Sequence, residues 1–291
     1  MDLHAAHDPL RGRQDGRFFH GYYDGDCYLP LYIFCGRHLL AAKLRPANID
    51  AAAGAPEEVI RITRQVRQRW LRTRILLHTD SGFCWNGLVD GHENNRADQV
   101  FGLARTPRSA RTISKEQEQA EQPSLVSGRD ERVVKDFIWT RRTRWSRKRR
   151  VISEAELTGG EANPRLVVTC VKHREYGTRV LYEKTSCARE KMQNRIKECQ
   201  ADLFADRTST AKMVSCQLWF YSMAHVLISA LRRIALPDTQ VTNASCETIR
   251  LKILKVGARV LVSFRRILFA KTSSHPWAEE WGEARRRFCL A

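Results

Sequence analysis

Residues 74–83 read RILLHTDSGF. The short apolar run Ile75-Leu76-Leu77 stops at His78-Thr79-Asp80-Ser81-Gly82, and an apolar run bounded by a turn signal predicts a buried strand. Asp80 then stands where the strand emerges. One reading is local: Asp ahead of Ser-Gly accepts backbone hydrogen bonds and starts a turn. The other is chemical: α/β sheets build their sites at the carboxyl ends of strands, and a carboxylate there is placed to hold a metal or act in catalysis. These ten residues leave both open.

Working outward, the flanks set the fold class. CYLPLYIFCG (27–36) and RHLLAAKLRP (37–46) are adjacent β-prone runs with Gly36 between them, a predicted hairpin. MDLHAAHDPL (1–10) reads as a strand turning at Asp8-Pro9. APEEVIRITRQVRQRW (55–70) reads as a helix, with Pro56, Glu57 and Glu58 in its first turn and Val59, Ile62, Val66 and Trp70 as its apolar stripe. A weaker helix is expected over 85–96 and a strand over 98–105. A hairpin-rich start followed by β-α-β units predicts a mixed sheet with helices packed on it.

The second half changes character. Residues 106–130 are polar and read as a linker or solvated helix. Residues 133–157 and 163–171 have strand character and suggest a β-rich insertion. From Leu181 the chain turns helical, over 181–204, 211–234 and 248–269, with Pro237 and Asp238 separating the last two. The most apolar stretch, LWFYSMAHVLISAL (218–231), is shorter than a membrane span and reads as a buried helix. The expected division is 1–105, 106–172 and 173–291.

The 291 residues carry 50 Lys and Arg against 32 Asp and Glu, a net charge of +18. A field of that sign calls for an anionic partner, and nucleic acid is the default. The densest basic run, RRTRWSRKRR (141–150), offers Arg141, Arg142, Arg144, Arg147, Lys148, Arg149 and Arg150 for phosphates, with Trp145 to stack on a base; the same run also suits a solvated β-ribbon face. A second basic set, Arg250, Lys252, Lys255, Arg259, Arg265 and Arg266, falls along the expected last helix. Nine cysteines without a C-x-x-C pair or an apolar leader point to reduced thiols in a cytosolic setting, with Cys84 and Cys187 as packing residues.

Five strings carry a resemblance: residues 7–50, RILLHTDSGFC (74–84), VFGLAR (100–105), RIKECQADLFADRTST (195–210) and TIRLKILKVGA (248–258). Together they resemble the DDE transposases of bacterial insertion sequences, in the group-one transposase DDE family. The resemblance implies an α/β, ribonuclease-H-like mixed-sheet core with a β-rich insertion and a long-helix C-terminal part. It implies DNA cleavage and strand transfer by three carboxylates holding two Mg²⁺ or Mn²⁺ ions. Double-stranded DNA, as element ends and target, is the implied partner, together with a homo-oligomer and no membrane, in the bacterial cytoplasm at the nucleoid.

Asp80 matches the second acidic position of that family. The other two depart from it. The first motif resembles Asp-x-Asp-Ala-Thr-Asp-Asp-Pro, and here it reads Asp2-Leu3-His4-Ala5-Ala6-His7-Asp8-Pro9, so His4 replaces the first catalytic aspartate. The later signature is Tyr, Arg, Glu and Lys on one helix face; here Ser186, Arg189, Gln193 and Gln200 occupy it. Gln193 thus replaces the glutamate, and only Arg189 is kept. Asp2 and Asp8, with Glu183 and Glu190 behind them, are the carboxylates able to substitute. The chain begins at the first catalytic strand, so an N-terminally truncated, catalytically impaired copy with DNA affinity is expected; the alternative is a non-enzymatic DNA-binding regulator derived from a transposase.

Overall fold

The computed structural model describes residues 1–84, 97–127, 132–140, 145, 147–158, 161–205, 211–213, 218–272 and 274–290. The helix expected over 85–96 lies outside these. In chain order come β1 (Asp2–Ala5), a small sheet of β2 (Asp8–Pro9), β3 (Phe18–His20) and β4 (Gly25–Tyr28), the hairpin β5 (Leu31–Cys35) and β6 (His38–Lys43), helix α1 (Ala55–Arg69), then β7 (Leu76–Thr79) and β8 (Asp98–Gly102). Helices α2 (Pro107–Thr112) and α3 (Ser114–Ser127) lead to β9 (Arg132–Trp139), β10 (Arg149–Thr158), β11 (Glu161–Ala162) and β12 (Arg165–Thr169). The chain ends with α4 (Thr178–Lys197), α5 (Leu218–Ile234), α6 (Cys246–Ile249), β13 (Ala258–Val262), β14 (Ile267–Lys271) and α7 (Ala278–Leu290).

The main sheet runs β11-β10-β12-β8-β7-β1-β5-β6, with β9 paired to β10. Strand β1 is antiparallel to β5 and parallel to β7, and β7 is parallel to β8. This is the ribonuclease-H-like order: an antiparallel hairpin on one side of the first strand, parallel strands on the other. The insertion does not form a separate sheet. Its strand β12 pairs antiparallel with β8 and extends the same one.

Both faces of the core are covered. Leu3, Ala5, Ile33 and Leu77 meet Val59 and Ile62 of α1 on one face. On the other, Ala6, Tyr32 and Phe34 meet Met192 and Ile196 of α4 and Leu218 of α5. Each such buried aliphatic side chain contributes roughly 1.5–3 kcal/mol. The α1 stripe ends at Val66; Trp70 caps the helix and is exposed, because the chain turns away there toward β7. The β5–β6 turn takes Gly36 at φ 58°, the left-handed conformation a residue without Cβ adopts freely.

Of the two readings of the polar stretch after residue 105, the helical one holds, over Pro107–Thr112 and Ser114–Ser127. Two expectations are corrected. Residues 248–269 are not one helix: α6 gives way to a π-helical turn at Arg250–Leu254 and then to the hairpin β13–β14. The helical run ends at Leu254, and the alternating, β-branched sequence beyond Gly257 favours strands. Helix α5 is buried along one stripe only, with Trp219, Phe220, Met223, Val226 and Leu227 exposed.

A charged knot ties the C-terminal helices together. Glu198, in the π-helical turn that ends α4, accepts hydrogen bonds from Arg195 Nη1 at 2.8 Å and Arg232 Nη2 at 3.1 Å. Arg232 Nη2 also reaches Ala244 O at 2.7 Å, so the turn after α4, helix α5 and the segment before α6 share one guanidinium. Burial opposes ionisation of Glu198, but the His225 ring, Arg232 and Arg195 overcome it and hold its pKa at about 2. Gly102 is a second constraint. A Cβ there would lie 2.8 Å from Ser81 N and 3.0 Å from Asp80 C, so only glycine lets β8 pass this close to the end of β7.

Two outcomes follow. The folded pKa of Glu198 lies below its ordinary 4.5, so its stabilisation is full above that value and is lost as pH falls toward 2. Glu198→Gln will lower unfolding free energy by on the order of 3 kcal/mol at neutral pH, and urea titrations will show the gap to the unsubstituted chain closing as pH falls through that window. Gly102→Ala will cost about 1–3 kcal/mol by pressing on backbone, read as a lower thermal midpoint.

Candidate active site

Strands β1 and β7 are parallel neighbours, with Asp2 opposite His78 and Leu3 opposite Thr79. One further step along that register sets His4 beside Asp80. Because strand side chains alternate, Leu3, Ala5 and Leu77 enter the core, and Asp2, His4, His78 and Asp80 occupy the opposite face, toward α4. His4 Nδ1 lies 3.2 Å from Asp80 Oδ2, with the two side chains 29% and 26% exposed. Two residues back, His78 Nδ1 lies 3.2 Å from Asp2 Oδ1. Two imidazole–carboxylate pairs therefore stack along the strands, each an ion pair when its ring is protonated and a hydrogen bond when it donates Nδ1–H.

Asp80 serves both readings of its sequence. Its Oδ1 accepts from Gly82 N at 2.9 Å and caps the 3₁₀ turn Ser81–Phe83. Its Oδ2 faces His4. A wall of the site comes from the β3–β4 segment and the end of β1. The Tyr23 ring stacks on His7 with centroids 4.3 Å apart, and His20 lies against Tyr23 at 4.9 Å. Burial, then the neighbouring Tyr22 and the Asp80 and Cys27 charges, push the Tyr23 pKa up; burial and His20 push that of His7 down. Both shifts favour the neutral forms of Tyr23 and His7.

Helix α4 packs on β1 and β7 and carries the third position. Gln193 is exposed on it, and Gln200, seven residues on and so on the same face, donates Nε2–H to His7 O at 2.8 Å. That contact aims the Gln193 face at the end of β1. Arg189 lies in α4, with its side chain, like those of Ser186, Cys187 and Glu190, outside the described residues. Of the substitutes, Asp2 and Glu183 line one open cavity of about 470 Å³ with Lys184, Lys191 and Met192. Asp8 is buried in the small sheet, where its charge raises the Cys27 pKa after burial has done so.

The residues do not fit a pair of Mg²⁺ ions. Of the three positions, only Asp80 is a carboxylate, and the oxygen it turns toward residue 4 meets an imidazole nitrogen. Among the described residues one group of three offers ligand atoms within 4.8 Å of one another: Glu198, His225 and Cys246. It is fully or mostly buried, but Arg232 Nη2 already reaches both Glu198 Oε1 and Cys246 Sγ, at 3.1 and 3.6 Å. A guanidinium holds the place of the cation.

The basic run is divided by the fold. Trp145 is 8% exposed and joins the core, with the Arg149 guanidinium 5.6 Å from its ring, so it offers no face to a base. Arg149 and Arg150 are buried too. Arg150 donates to Asp136 Oδ2 at 2.9 Å and to Val171 O at 2.9 Å, fastening β10 to β9 and to the turn after β12. Arg147 and Lys148 remain exposed and line a cavity of about 620 Å³ with Lys172 and His173. Arg141, Arg142 and Arg144 lie outside the described residues. Sequence reasoning missed Gly102, Tyr23 and Glu198; the glycine in VFGLAR and the paired tyrosines in GYYDGD were the available signals.

No described helix is long and apolar enough to cross a membrane. No curated protein matches the chain. The family model described as Transposase DDE domain group 1 matches residues 1–289, and the chain belongs to that family.

Proposed function

We propose that this chain is a DNA-binding derivative of a bacterial insertion-sequence transposase whose DDE centre no longer assembles two divalent ions. The observation that carries this reading is the 3.2 Å approach of His4 Nδ1 to Asp80 Oδ2, at the two positions where the family places facing carboxylates. Two carboxylates side by side repel until cations bridge them. An imidazole beside a carboxylate attracts, and it takes the oxygen a metal needs. Each lost carboxylate removes about 4 kcal/mol of attraction per unit of ion charge at about 4 Å and an effective dielectric constant near 20. Gln193 supplies a neutral amide oxygen in place of the third charge.

The described substitutes are engaged elsewhere, Glu183 with Arg179 at 2.9 Å. Asp2 directs Oδ1 at His78. Asp8 is buried in the small sheet, across from Tyr28. DNA affinity rests instead on the +18 charge and on exposed cations such as Arg147, Lys148 and Lys172 around one cavity. Such contacts read backbone phosphate rather than sequence. On this reading the chain works on double-stranded DNA in the bacterial cytoplasm.

Calorimetric titration with Mn²⁺ tests the first half. The unsubstituted chain will show no heat that Asp80→Ala removes, and the double change His4→Asp with Gln193→Glu will create Asp80-dependent binding. Two ions bound through Asp80 in the unsubstituted chain would sink the proposal. Duplex binding across a salt series tests the second half. Arg147→Ala with Lys148→Ala will weaken binding equally on unrelated sequences and flatten the log K against log salt slope by about 2.

A further inference from the structure

The His225 imidazole is wholly buried in α5, and neither of its ring nitrogens has a hydrogen-bond partner among the described residues. Nε2 stops 3.9 Å from Glu198 Oε2, beyond hydrogen-bond reach. A buried polar group left in this way costs free energy, and it calls for a partner that the chain's own donors and acceptors do not supply. The ring faces a centre built by three separate elements. Glu198 comes from the turn that ends α4, His225 from α5 and Cys246 from the first residue of α6. Their ligand atoms lie within 4.8 Å of one another. In this structure Arg232 holds the centre, and it does so loosely. Its Nη2 reaches Glu198 Oε1, Ala244 O and, at 3.6 Å, Cys246 Sγ, while its Nε and Nη1 are buried without a partner.

We propose that Glu198, His225 and Cys246 form a Zn²⁺ site that fastens the turn after α4, α5 and α6 to one another, the ion displacing Arg232 Nη2 from the carboxylate and the thiol. One oxygen, one imidazole nitrogen and one sulfur make a borderline-soft set, which suits Zn²⁺ rather than the Mg²⁺ or Mn²⁺ of an all-oxygen centre. Donors on one tetrahedral Zn²⁺ stand roughly 3.4–3.6 Å apart at bond lengths of about 2.0–2.3 Å, so side-chain movements of about 1 Å close the set around it. Cys246 releases its thiol proton to solvent as the sulfur–zinc bond forms. Burial, then the Glu198 charge, push that thiol up to about 12, and a dication at bonding distance reverses the balance. Cys199, adjacent to Glu198, is buried near enough that, after burial itself, the Cys246 and Glu198 charges raise its pKa; its thiol is the fourth donor. Arg195 Nη1, 2.8 Å from Glu198 Oε2, stays behind the carboxylate and orients it. Arg232 keeps Ala244 O. The site shares no residue with the β1–β7 pair, so it stands apart from the fate of the DDE centre.

Titration of the full chain with Co²⁺ and then Zn²⁺ tests this without recourse to DNA. One Co²⁺ per chain will bring up the visible absorption of a tetrahedral ion and a near-ultraviolet sulfur-to-cobalt band, and Zn²⁺ will abolish both by replacing it. Zn²⁺ will also raise the thermal midpoint, because an ion held only by the folded chain stabilises it. Cys246→Ser and His225→Gln will each weaken binding by about a hundredfold or more, at least the loss that follows removal of a residue supporting a ligand. Cys199→Ser will reduce the sulfur-to-cobalt band without abolishing it. Arg232→Gln will tighten binding about tenfold, since the ligands no longer have to shed a bound guanidinium first. A variant that merely unfolded could not show that gain. Asp80→Ala, and Cys35→Ser with Cys289→Ser at two exposed thiols, will leave binding unchanged. A chain without the sulfur-to-cobalt band, a band that survives Cys246→Ser, or an Arg232→Gln chain that binds more weakly would each overturn the proposal. Binding lost in Asp80→Ala would overturn it too, by placing the ion on the β1–β7 pair.

Discussion

The parallel pairing of β1 with β7 governs everything the site contains. Residues 4 and 80 are distant in the chain, and they meet only because Asp2 sits opposite His78 in that register. The pairing is strongly specified. A slip of one residue would turn Leu3, Ala5 and Leu77 out of the core and drive Asp2, His4 and Asp80 into it. Gly102 reinforces the arrangement from the next strand, since its missing side chain is what lets β8 lie against the Asp80 backbone. The hydrophobic face thus fixes the polar face, and the chemistry at residues 4 and 80 is set by packing on the side of the sheet it never touches.

Asp80 shows why the local and chemical readings of a strand-end carboxylate need not compete. One oxygen caps the following turn and the other faces His4. The cap fixes the side-chain direction without consuming the second oxygen. A carboxylate placed in this way is oriented before any partner arrives, whether that partner is a cation or, as here, an imidazole.

Much of the fold was legible because it follows local period. The β5–β6 hairpin shows two apolar runs around Gly36, α1 shows an i, i+3, i+7 stripe, and β7 ends where the turn signal stands. The errors arose where one residue type serves two environments. Residues 258–271 carry enough Leu, Val and Arg to continue a helical pattern, and their alternation becomes visible only once the break at Gly257 is respected. Trp145 sits inside a run of cations, which suggested exposure; the strand that follows folds its ring inward and buries Arg149 and Arg150 with it. The Glu198 knot was illegible for a different reason. Its partners Arg232 and Ala244 come from other elements, and no local pattern announces a contact that only tertiary packing makes.

The same contrast bears on what the altered site does to the molecule. A set of facing carboxylates stores repulsion in the folded chain, and the bound cations relieve it, so metal and stability are coupled. With His4 against Asp80 and His78 against Asp2, the strand face pairs its own charges. On the proposed reading the fold needs no ion to hold these strands together, and an ion gains little by entering. On that reading, loss of metal binding and independence of the fold from metal are one change seen from two sides. A chain so altered keeps its sheet and its +18 charge, neither of which depends on an ion.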